Sequence, residues 1–148
     1  MKDLLLITPP FTQLNTPYPA TAYLKGFLNT KNISSYQIDL GIEVILEIFS
    51  KKGVTQIFNV KPEILSENTQ RIFALREEYI KTIDEVIAFL QNKKPTLARQ
   101  ICSMNFLPEA SRFNQLDDME YAFGNMGLQD KAKHLATLYL EDLSDYIV

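Results

Sequence analysis

One cysteine, one histidine, five glycines and no tryptophan occur among the 148 residues. A single thiol, Cys102, excludes an internal disulfide framework and any site built from cysteines alone, a complete iron–sulfur cluster within this chain included. The single histidine, His134, lies between Lys133 and Leu135 in a helical pattern and lacks the companion ligands that zinc requires. No phosphate-binding Gly-rich loop, GxGxxG or nucleophile signature is present. Neither sign of charge dominates, with 15 Lys and Arg against 18 Asp and Glu and a net charge of −3. These charges are interspersed, so the sequence carries no basic footprint for nucleic acid. No apolar run reaches the roughly 20 residues that span a bilayer, and the N-terminus shows no n-region and h-region of a signal peptide. A cytoplasmic protein is the expectation.

What is present begins at residue 4. Leu4, Leu5, Leu6 and Ile7 form a continuous apolar run, which predicts a strand covered on both faces in a parallel sheet. A loop with Pro9, Pro10, Pro17 and Pro19 follows; proline fixes φ and cannot donate to a ladder, so the chain leaves the strand on a stiff path. Ala20, Tyr23, Leu24, Phe27 and Leu28 recur at helical spacing, and Asn29 to Asn32 break the pattern. SSYQIDLG (34–41) alternates Tyr36, Ile38 and Leu40, predicting a second, parallel strand with Asp39 near its end and Gly41 turning the chain. By the right-handed crossover rule this βαβ unit places Asp39 at the same sheet edge as the Pro-rich loop, where ligands bind in open parallel sheets.

From residue 42 onward the pattern is helical. Ile42 to Phe49 predicts a helix ended by Lys51, Lys52 and Gly53. Residues 54–60 read equally as short strand or loop. Pro62 opens a long helix to Asn92 with Ile72, Leu75, Tyr79, Ile83, Val86 and Leu90 along one stripe, widened by Ile80 and Ile87. Pro95 opens another through Leu97, Ile101 and Met104. After Pro108 comes a segment from Leu116 to Phe123, and a final helix runs from Leu128 to Ile147. The expected architecture is therefore α/β: a Rossmann-like βαβ start over residues 1–60 with two parallel strands, then a mostly helical region over 61–148. Two strands make a poor doubly wound sheet alone. The expectation is a fragment of a larger protein, or a homo-oligomer that supplies the missing edge.

LLLITPPF, PYPATAYLKGFL and YQIDLG together resemble the N-terminal region of the B12-binding-domain radical-SAM proteins, a family that includes anaerobic magnesium-protoporphyrin IX monomethyl ester oxidative cyclases. The resemblance covers about residues 3–41. It implies a Rossmann-like cobalamin-binding fold ahead of a radical-SAM barrel that holds S-adenosylmethionine and a four-iron cluster on three cysteines. No CxxxCxxC is present here, so the resemblance places that barrel in a downstream partner domain and makes this chain inactive alone. It also assigns the cofactor surface to Thr8, Pro9, Pro10, Phe11, Thr12, Tyr18 and Asp39. Cobalamin domains that ligate cobalt from below use a His after strand one; residues 8–19 contain none, so cobalamin here would lack a His lower ligand.

Each candidate also has a structural reading. The Pro-rich loop can be a rigid connection, Tyr18 and Tyr23 can belong to a core instead of stacking on a flat ring, and Asp39 can cap the next helix instead of accepting from a ligand. Cys102, on an apolar helix face, reads as a buried structural thiol. Arg76, Glu77, Glu78, Lys81, Asp84 and Glu85 read as a solvated helix face. Asp117, Asp118 and Glu120 read as an acidic helix start. The competing function is a helical interaction or oligomerisation module without a ligand.

Overall fold

A computed structural model describes residues 3–10, 19–60, 66–118 and 127–147. They fall into two compact units, Met1–Ile48 and Phe49–Val148. The architecture is α/β, two parallel strands followed by a mostly helical region.

In the first unit β1 (Leu4–Thr8) pairs in parallel with β2 (Ser35–Asp39), with Leu4 opposite Ser35 and Thr8 opposite Asp39. The crossover is α1 (Ala20–Thr30), which ends where the Thr30 hydroxyl donates to the Phe27 carbonyl and Asn32 takes a φ of 55°. A short polar side chain tolerates that left-handed geometry. α2 (Leu40–Ile48) starts directly after β2 because Asp39 caps it. Gly41, expected to turn the chain, is instead buried in the first turn of α2. The apolar run of β1 predicted cover on both faces, yet Leu4, Leu5 and Ile7 are exposed, since β2 is its only strand neighbour among the described residues. Tyr23 is 78% exposed and is not a core residue.

The second unit holds α3 (Lys51–Asn59), α4 (Glu67–Ala74), α5 (Arg76–Leu90), a 3-10 turn (Pro95–Leu97), α6 (Ala98–Cys102), a 3-10 stretch (Ser111–Asp118) and α7 (Leu128–Ile147). Lys51, Lys52 and Gly53 open α3 instead of ending α2. The Ser50 hydroxyl accepts from the Gly53 N–H at 3.0 Å, and Asp84 accepts from the Lys51 N–H at 2.8 Å. Residues 54–59, ambiguous by pattern, are therefore helical, and Val54 and Phe58 enter the core beside Tyr79. That packing puts the division between Ile48 and Phe49, where the sequence suggested residue 60.

The expected long helix is two helices. Residues 61–65 lie outside the description, Ser66 caps α4 by accepting from the Thr69 N–H, and the helix breaks at Leu75 before α5. The helix opened by Pro95 stops at Cys102, and Met104 turns with a φ of 57°. Core side chains come mainly from α5 (Tyr79, Ile83, Val86, Phe89) and α7 (Leu135, Ala136, Tyr139, Leu143), joined by Val54, Ile72 and Ile101. Among the described residues no helix is long and apolar enough to cross a membrane.

Candidate functional site

The carboxyl ends of β1 and β2 form the edge that the sequence nominated. Register partners share a face in a parallel pair, so Leu4, Leu6 and Thr8 lie with Ser35, Gln37 and Asp39 on one side. α1 crosses that side, fixed by the Gln37 side-chain amide donating to the Thr21 hydroxyl at 2.8 Å. Thr8 is buried there, Pro9 is exposed and Pro10 is half-buried. α1 begins at this same end, after Pro19, and its first turn has no side-chain cap among the described residues.

Asp39 has a job already. Its carboxylate accepts from the Ile42 N–H at 3.2 Å, the N-cap bond of α2. The capping reading thus holds, and the half-buried carboxylate remains at the strand end beside Thr8. Phe11, Thr12 and Tyr18 lie outside the described residues. Of the nominated residues, the register brings Thr8 and Asp39 together, and Pro9 and Pro10 follow β1 directly.

A polar cluster in the second unit went unnoticed in the sequence. Asp142 of α7 is fully buried, and its Oδ1 accepts from the Arg112 N–H at 3.3 Å and the Ser111 hydroxyl at 3.5 Å, holding the start of the 3-10 stretch. Asn68 supports the same turn by accepting from the Ser111 N–H. Asp142 Oδ2 and the Tyr79 hydroxyl are buried and make no hydrogen bond among the described residues. Burial pushes the Asp142 carboxyl above the usual aspartate range, against the pull of the Arg112 N–H. Tyr79 and Tyr139 stack with centroids 4.9 Å apart, and burial raises both phenols. The Tyr139 hydroxyl donates to the Tyr79 carbonyl and pairs with Thr82. One signal was legible: Leu135, Tyr139, Asp142 and Tyr146 follow helical spacing, which sets an aspartate on an apolar face. The arrangement fastens one segment to another.

Outside these places the chemistry is quiet. Cys102 is half-buried where a buried thiol was expected; it donates to the Leu128 carbonyl at 3.6 Å, and partial burial raises it from its ordinary value. His134 is half-buried on α7. Asp84 is exposed with Glu77, Glu78 and Lys81, in line with a solvated face, and also accepts from the Lys51 N–H; the Glu85–Lys94 pair is a surface ion pair at 2.6 Å. Side chains at 117, 118 and 120 lie outside the description. No group of His, Cys, Asp and Glu that could hold a metal exists among the described residues. No protein-family model, curated protein or solved structure matches the chain.

Proposed function

We propose that the first unit is the cobalamin- or substrate-binding-like N-terminal portion of a radical-SAM enzyme, similar to the magnesium-protoporphyrin oxidative cyclases, with the catalytic barrel in a downstream domain of the full-length protein. The observation that carries this reading is the strand pair itself: β1 and β2 run parallel, end together at Thr8 and Asp39, and release the Pro-rich segment at the edge where parallel sheets bind ligands. The start of α1, without a side-chain cap among the described residues, adds N–H donors suited to the phosphate and amide oxygens of a cobalamin tail. Cobalamin would supply methyl-transfer or redox chemistry at cobalt. This chain's own part is to seat it by shape and hydrogen bonding, since His134, its only histidine, sits on α7 of the other unit. The cytoplasm suits such an enzyme.

The test is a titration of the chain with hydroxocobalamin followed by absorbance. Binding is expected for the wild type and for His134→Ala. Phe11→Ala and Tyr18→Ala should each weaken it, by about 1 kcal/mol where a ring stacks on the corrin. No spectral change with the wild type, or loss of binding in His134→Ala with both loop variants intact, refutes the reading and favours the ligand-free interaction module, which the exposed side chains Leu5, Tyr23 and Tyr36 support.

A further inference from the structure

We draw no further inference here: the strongest candidate, the buried side-chain cluster of Asp142 and Tyr79 between α5 and α7, belongs to the polar site already described, and its one feature that could point to a ligand, the two oxygens without a hydrogen bond, holds only among the described residues.

Discussion

Asp142 shows how one carboxylate can serve a fold at a cost. Its Oδ1 ties Ser111 and Arg112 to α7, while its Oδ2 is buried without a hydrogen bond among the described residues. Burial raises its folded pKa above the unfolded one. The folded state therefore binds more protons between the two values, so the contribution of this group to stability falls as pH rises through that window and is least favourable above the folded pKa. Asp142→Asn keeps an oxygen for Arg112 and carries no charge. Denaturant unfolding across mildly acidic to neutral pH should show the variant at least as stable as the wild type near neutrality, with this part of the pH slope gone. A parallel slope in both proteins would place the titration elsewhere. Arg112 itself bridges Glu141 and Asp145 at 3.3 and 2.9 Å, but these are half-exposed surface pairs worth little individually.

At the scale of elements, helix starts are set by side chains from two sources. Ser66 caps α4 from its own segment, whereas α3 needs both Ser50 beside it and Asp84 from α5. The local cap explains why Lys-Lys-Gly opens a helix here: Gly53 supplies the N–H that Ser50 accepts. Ser50→Ala should lower stability by about 1 kcal/mol, the usual value of an N-cap. Asp84→Ala should do so by a similar step, because a charge-assisted bond to Lys51 is lost. Urea unfolding followed by circular dichroism measures both, and an unchanged midpoint in either variant contradicts the capping account. Ser50 was passed over in the sequence, where Lys51, Lys52 and Gly53 read as a helix end; Asp84 was not legible as a partner because a bond across 33 residues has no local signature.

Across the whole molecule, burial is distributed unevenly. Among the described residues, every large side chain of the buried core belongs to the second unit, from Val54 to Tyr146, while the buried residues of the first unit are Thr8, Thr21 and Gly41. Local stability follows apolar burial. Amides of β1, β2 and α1 should exchange with solvent well before those of α5 and α7. Equal protection in the two units would show that the first has a source of stability beyond the contacts described.

The sequence by itself determined the elements whose signal is local and long. The βαβ order followed from an apolar run, a proline loop and a helical stripe, and α7 was legible from Leu128 to Ile147 because Leu128, Leu135, Leu138, Leu143 and Tyr146 recur at helical spacing over about five turns. It also nominated the strand-end edge, since the right-handed crossover leaves Asp39 beside the residues that follow β1. Only the tertiary structure decided the break at Leu75, the helical state of Lys51–Asn59, and the work of Asp39, Asp84 and Asp142. Those depend on partners distant in the chain or on which competing local bond wins, and periodicity encodes neither. The exposure of β1 has the same origin: its residues are those of an interior strand, and burial belongs to the neighbours a strand finds, not to its sequence.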